Sequence, residues 1–258
     1  MLSTYQALME AAALFVGMLL CLELGRRFGR RRAVGEAEGA IPGTGAVEGA
    51  IFALFGLLVA FTFSGAAARF DERKHLVVEE TNHIGTAWLR LDLLPEPTRS
   101  TLRDLFRRYL DSRIETYRRL PDVDAAEQEL AQSQKLQREI WAQAVEGVSR
   151  KGDSGTTVLV LSALNAMFDI TTTRTAATRV HPPRIIFATL FILALGCAFL
   201  AGLGMSRAKS RLWIHIIGFA AVASLTVYVI LEIEYPRLGL VRVDAADKVL
   251  VELRETMK

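Results

Sequence analysis

The sequence lacks the short motifs of the common enzyme classes. It has no HExxH, CxxC, Walker phosphate loop or GxGxxG. Residues Gly152–Gly155 read GDSG, the tetrapeptide around a serine-protease nucleophile, but four residues in a helical region are weak evidence for a catalytic Ser154. The four histidines are not spaced as a metal site requires. We therefore predict a protein that is not an enzyme, with no cofactor and no metal.

Cysteine is also scarce. The two cysteines, Cys21 and Cys197, both fall in strongly apolar segments, and the polar middle of the chain has none. No disulfide can therefore form within the polar region, and cysteine usage does not indicate a redox compartment.

Three long runs lack charge altogether: residues 49–68, 185–204 and 212–231. Each has 20 residues, enough for a helix to cross a hydrocarbon core of about 30 Å. The chain is 51% hydrophobic, with a mean hydropathy of +0.27, although 23% of its residues are charged. Charged and apolar residues are thus segregated along the chain, which predicts an integral membrane protein in contact with the lipid bilayer.

A fourth apolar segment, residues 2–22, contains one acidic residue, Glu10. A cluster of arginines follows this segment, whereas a signal peptide carries its positive charges before its apolar run. We therefore predict a retained first membrane helix. Glu10 is then the ionisable residue well inside a span. It either faces protein or water along a pathway or reaches the headgroups, and both interpretations stay open.

The segment between the second and third runs is polar and nearly neutral. Residues 70–182 hold 16 Lys/Arg and 17 Asp/Glu, so no basic face suits a nucleic acid. Apolar residues recur at helical spacing, and Pro95, Pro121 and Pro182 interrupt them. We predict a second helix that continues past the membrane to Leu94 and three further helices, the last a buried helix too short to span.

The predicted fold is therefore an all-α membrane protein with four transmembrane helices and a helical extramembrane insert between the second and third. Residues 1–68 form the first helix pair with an Arg- and Gly-rich loop from about 25 to 47. Residues 69–182 form the insert, 183–232 the second pair, and 233–258 a tail with a short helix.

The second span carries a stripe of small residues on one side. In lipid such a stripe lets helices approach closely, while an apolar ring repeated around an oligomer can gate a pore by dewetting. Helix packing and pore lining both stay open. The small-residue stripe comprises Gly49, Ala53, Gly56, Ala60, Ser64 and Ala67, and the pore or helix-packing candidates are Phe52, Phe55, Gly56, Val59, Ala60, Phe63 and Ser64.

Charged residues cluster beside the second and third spans. If the extended second helix and the last insert helix are antiparallel neighbours, their charges can pair at a membrane neck, either lining a vestibule or fixing the packing of the two helices. The candidates are Arg69, Glu72, Glu79, Glu80, Asp169, Arg174 and Arg179.

Three stretches resemble a bacterial family of unknown function described as bestrophin-like membrane proteins. They are Gly49–Arg73 with GLLVAFTFSG and RFDER, Glu79–Pro95 (EETNHIGTAWLRLDLLP) and Leu164–Asp169 (LNAMFD). The resemblance implies two helix pairs around a helical insert. By analogy with bestrophins it also implies a homo-oligomeric, even pentameric, ion channel with the second helix at the pore. The ion stays open.

Two expectations follow for function and two for orientation. The first function is a homo-oligomeric channel, and the alternative is a non-conducting membrane scaffold or sensor whose insert binds a partner protein.

We predict a location in the cell (inner) membrane. There, the positive-inside rule predicts cytoplasmic short loops, whereas bestrophin analogy puts the insert in the cytoplasm. The basic residues of the short loops are Arg26, Arg27, Arg30, Arg31, Arg32, Arg207, Lys209 and Arg211.

Overall fold

A computed structural model describes residues 4–33, 44–207, 213–237, 240, 241 and 243–257, and within these ranges all regular structure is helical. The predicted all-α class is confirmed for this part of the chain. Two short 3-10 turns, Leu91–Leu93 and Met205–Arg207, follow α2 and α6. The α-helices are α1 (Thr4–Ala33), α2 (Thr44–Arg90), α3 (Thr98–Arg118), α4 (Val123–Lys151), α5 (Ser154–Ala177), α6 (Arg184–Gly204), α7 (Trp213–Glu234) and α8 (Asp244–Thr256).

The first helix is longer than predicted. The expected loop from residue 25 is wrong at its start, because α1 continues to Ala33. Arginine is a good helix former, and positive charge near a helix C-terminus interacts favourably with the macrodipole. The Gly-rich residues 34–43 of the predicted loop lie outside the described residues.

The GDSG tetrapeptide is a junction between two helices. Gly152 has φ 71°, a left-handed conformation that suits glycine, and ends α4. The Asp153 carboxylate accepts hydrogen bonds from the backbone N–H groups of Gly155 (3.2 Å) and Thr156 (3.0 Å). These bonds cap the start of α5, with Ser154 as its first residue. Helix capping therefore accounts for the motif.

The chain divides into two compact units. Unit 1 comprises Met1–Arg69 and His181–Val241, and unit 2 comprises Phe70–Val180 and Arg242–Lys258. Each unit buries a core of its own. Helix α2 supplies residues to both units.

Unit 1 packs α1 against α6 and α7. Glycine permits the close approach of α1 and α6: a Cβ at Gly25 would lie 2.1 Å from the carbonyl oxygen of Phe199. Nearer the start of α1, Gly17 meets Leu195, and nearer its end Gly29 meets Ser206. Residue numbers rise together along both helices, so α1 and α6 run parallel.

Unit 2 is a helical domain around an apolar core. Helices α3 and α4 pack along each other, and α5 and α8 add further core residues. The tail helix α8 therefore belongs to this unit. Core side chains with almost no exposed surface include Phe106, Tyr109, Leu110, Leu136, Ile140, Leu164, Met167 and Leu250.

Five helices in the described ranges are long and apolar enough to cross a membrane, among them α5. The prediction that the apolar run of α5 is too short to span is not confirmed, since the whole helix has 24 residues. One side of α5 is nevertheless buried in unit 2, including Val160, Leu164 and Met167. The apolar helices make the chain a multi-pass membrane protein.

Candidate functional site

The small-residue stripe of α2 lies on the surface of unit 1. Gly49, Ala53, Gly56, Ala60 and Ser64 are all exposed. A Cβ added at Gly49 or Gly56 would meet no atom within 4 Å. Within the described residues, the chain therefore leaves this side of α2 without a packing partner.

The neighbouring aromatic candidates differ in how far they are buried. Phe55 is 9% exposed and belongs to the core of unit 1, where Phe52 and Val59 also pack. The Phe52 ring meets Phe219 edge to face, with centroids 5.9 Å apart. Phe63 is 42% exposed and lies on the same side as Gly56 and Ala60. Sequence alone did not separate Phe63 from Phe55.

Glu10 is exposed on the second turn of α1. Neither an ion pair nor a hydrogen bond joins its side chain to another described residue. The structure therefore places Glu10 at the surface of unit 1 rather than in its core.

An ion cluster closes the end of α7 in unit 1. The Glu234 carboxylate is completely buried and accepts a hydrogen bond of 2.6 Å from Nη2 and a second of 3.0 Å from Nε of Arg69. His181 Nδ1 lies 3.0 Å from the same carboxylate, and the imidazole stacks on Tyr235. The sequence analysis did not identify the Glu234 cluster (Arg69, His181 and Glu234). Glu234 lies at the edge of an apolar span, where an acidic residue is usually a simple interface residue.

A second buried network forms in unit 2 and contains the predicted residues Glu80 and Arg174. The Glu80 carboxylate accepts a hydrogen bond of 2.6 Å from Nε of Arg113 and another from Arg174. Arg174 also donates to Asp247 of α8 at 2.9 Å, and its guanidinium lies 3.7 Å from the centroid of the Tyr117 ring. Two carboxylates thus balance two guanidinium groups in the Glu80 network (Glu80, Arg113, Arg174 and Asp247).

Arg113 is the member that sequence reasoning missed. Its side chain has no exposed surface. Burial alone would lower the pKa of its guanidinium, but Tyr117 and Glu80 more than offset that effect and raise the pKa above the ordinary value. A signal was available: Arg113 lies seven residues after Phe106 and four before Tyr117, in line with the apolar stripe of α3.

The other predicted neck residues lie outside both ion clusters. Glu79 is paired with His75 on the same helix, at 3.3 Å. Glu72, Asp169 and Arg179 are exposed. Of the predicted neck residues, Arg69 belongs to the Glu234 cluster, and Glu80 and Arg174 belong to the Glu80 network. No group of three His, Cys, Asp or Glu residues suited to a metal ion occurs within the described ranges.

A family model, described as a Bestrophin-like domain, matches residues 12–247. No curated protein and no solved structure matches the chain. The match spans most of unit 1 and all of unit 2 except residues 248–258, which include most of α8. It agrees with the resemblance found in Gly49–Arg73, Glu79–Pro95 and Leu164–Asp169.

Proposed function

The chain belongs to the bestrophin-like family, and from that premise we propose that it forms a homo-oligomeric membrane channel whose axis is lined by α2. The observation that carries the proposal is the exposed small-residue stripe of this helix. A helix surrounded only by lipid gains nothing from such a stripe, whereas small residues let neighbouring helices or a file of water approach the backbone.

The pore-facing side of α2 is proposed to contain Gly56, Ala60, Phe63 and Ser64. Phe55 is assigned to packing inside the subunit, since it is buried among residues of α1, α6 and α7. Repeated around a symmetry axis, Phe63 would form an apolar ring beside small residues. Such a ring can stop ion flow by dewetting, which makes Phe63 the proposed constriction.

Four crossings are proposed, formed by α1, α2, α6 and α7. The parallel packing of α1 and α6 supports this number. With α2 alone crossing between them, α1 and α6 run in the same direction, whereas a further crossing by α5 would make them antiparallel. The ion pair between Arg174 of α5 and Asp247 of α8 also supports an α5 that stays with unit 2.

Planar-bilayer recording tests the channel. The purified oligomer is expected to conduct, and Phe63→Ala should raise its unitary conductance or open probability because the ring widens. Phe61→Ala is the matched control, since Phe61 is 67% exposed on another side of the same helix. A pure oligomer that is electrically silent, or an unchanged Phe63→Ala channel, would contradict the proposal. A silent protein that copurifies with a stoichiometric partner would favour the scaffold alternative.

Cysteine labelling tests the number of crossings. Gln132→Cys on α4 and Glu255→Cys on α8 both place a thiol at an exposed position. With four crossings, an impermeant thiol reagent should label both from the same side of the membrane. Labelling from opposite sides would indicate that α5 also crosses. The parent chain is the control, because Cys21 and Cys197 lie in apolar segments.

A further inference from the structure

A cavity in unit 1 combines apolar walls with a buried cation. It lies where α1, α6 and α7 meet and has a volume of about 270 Å³. Leu19, Leu22, Met205 and Ile216 form much of its wall, and Trp213 stands at the start of α7. The cavity is at the small end of the range for ligand pockets, so it suits part of a molecule rather than a whole amphiphile.

Arg26 is the polar group that needs a partner here. Its side chain is 5% exposed and lines the cavity. Neither Nε nor Nη1 has a hydrogen-bond acceptor among the described residues, although both atoms are buried. A guanidinium stays charged at any physiological pH, and an unpaired buried charge is strongly unfavourable. The site is therefore incomplete without an anion.

The surrounding charges favour an anion over a cation. Glu23 also lines the cavity, but its carboxylate is paired with Arg27 through a contact of 2.9 Å. Arg30 and Arg31 follow on the same helix and are exposed. The wall thus has one positive charge in excess, and the arginines beyond it add to the attraction for a negative group.

The position of the cavity identifies the source of the anion. Arg26 follows an apolar helical segment of spanning length, at the depth where lipid headgroups lie. Tryptophan is enriched at this level of the bilayer, and Trp213 is 53% exposed beside the cavity. Basic pockets between transmembrane helices are a recognised way of holding anionic headgroups.

We propose that the Arg26 pocket binds an anionic phospholipid. The headgroup phosphate accepts a hydrogen bond from the buried guanidinium of Arg26, and the start of an acyl chain lies along Leu19, Leu20 and Ile216. The lipid neutralises the buried guanidinium and fills the cavity between the three helices. This site does not depend on whether the protein conducts.

Quenching by brominated lipids tests the proposal on the full chain in detergent. Trp213 lines the pocket, while Trp88 and Trp141 belong to unit 2. Brominated phosphatidylglycerol should quench Trp213 at a mole fraction about tenfold lower than brominated phosphatidylcholine, because the choline of the zwitterionic headgroup offsets the negative charge of its phosphate. Trp213→Phe gives the background from the other tryptophans.

Charge variants separate the pocket from general basic attraction. Arg26→Gln should abolish the preference for phosphatidylglycerol, whereas Arg31→Gln, which removes an exposed charge from the same helix, should keep it. Leu20→Phe, at an exposed position on the pocket wall, should weaken binding while leaving Arg26 in place and adding no tryptophan. This variant decides the question independently if Arg26→Gln does not fold.

Three results would overturn the proposal. An unchanged preference in Arg26→Gln would remove Arg26 from the site. An equal loss in Arg31→Gln would indicate attraction to the whole basic helix end. Displacement of the lipid by millimolar inorganic phosphate would identify a free-anion site instead.

Discussion

The two units differ in how they accommodate buried charged side chains. Unit 2 places Glu80 and Arg113 completely out of contact with solvent, but it places them against each other and surrounds them with aromatic rings. In unit 1, α1 and α6 pack closely at glycine residues. This unit also carries most of the exposed large apolar side chains, such as Ile192 and Ile214. Unit 2 thus buries charge by pairing it, while unit 1 carries most of the exposed apolar surface.

The comparison teaches where buried charge stabilises a fold and where it marks a site. In unit 2, every charge of the Glu80 network faces a charge of opposite sign. In unit 1, Glu234 is matched by Arg69, yet Arg26 has two buried N–H groups without an acceptor in the described residues. A paired charge fixes packing, whereas an unpaired one points to a ligand.

The largest effect is expected from breaking the Glu80 network. Glu80→Gln leaves two buried guanidinium groups with a single carboxylate, that of Asp247, and should lower the free energy of unfolding by about 3–5 kcal/mol. Thermal unfolding in detergent, followed by circular dichroism, measures the loss. Glu79→Gln is the matched control, since Glu79 is half-exposed and only contacts His75. Equal stability of the two variants would mean that desolvation cancels the attraction in the network.

Overpacking the α1–α6 crossing should have the next largest effect. Gly25→Ala places a Cβ 2.1 Å from the Phe199 carbonyl oxygen, so the helices must separate at a cost of about 1–3 kcal/mol. Gly196→Ala on α6 meets no atom within 4 Å and should be neutral or slightly stabilising. Thermal unfolding in the same detergent compares the variants. If Gly25→Ala is as stable as Gly196→Ala, glycine does not set the spacing.

The smallest effect is expected at α8. Asp247→Asn weakens the partly exposed pair with Arg174 and should reduce the stability of docked α8 by about 1–2 kcal/mol. Asp111→Asn breaks the more exposed pair with Arg254, for which about 0–1 kcal/mol is expected. Hydrogen exchange of α8 amides reports both changes. Faster exchange in Asp111→Asn than in Asp247→Asn would reverse the ranking.

Much of the helical architecture was readable from the sequence. Pro95 and Pro121 bracket α3, observed at Thr98–Arg118, and the predicted second helix to Leu94 matches α2 with the 3-10 turn Leu91–Leu93. The end of α1 could not be predicted, because an arginine-rich segment resembles a loop when its packing is unknown. The close approach of Gly25 to Phe199, a residue distant in the chain, is a contact that the local sequence does not indicate.

The candidate site was less predictable, because pairing depends on contacts between distant segments. Glu80 and Arg174 were among the seven charges predicted to pair if the second helix and the last insert helix were antiparallel neighbours. Arg113 completes that network from a third helix, and no spacing in the sequence joins it to Glu80. Similarly, only the fold brings His181 beside Glu234.

The parallel contact between α1 and α6 has a consequence for biosynthesis. The ribosome makes α1 early, then the whole stretch Phe70–Val180, and only afterwards α6. Until then Gly17, Gly25 and Gly29 present bare backbone to the bilayer. Because this interface closes a long stretch of chain, its formation is a late and slow event in assembly. Helix α1 therefore remains without its partner helix longest, and the insertion machinery can act on it during that time.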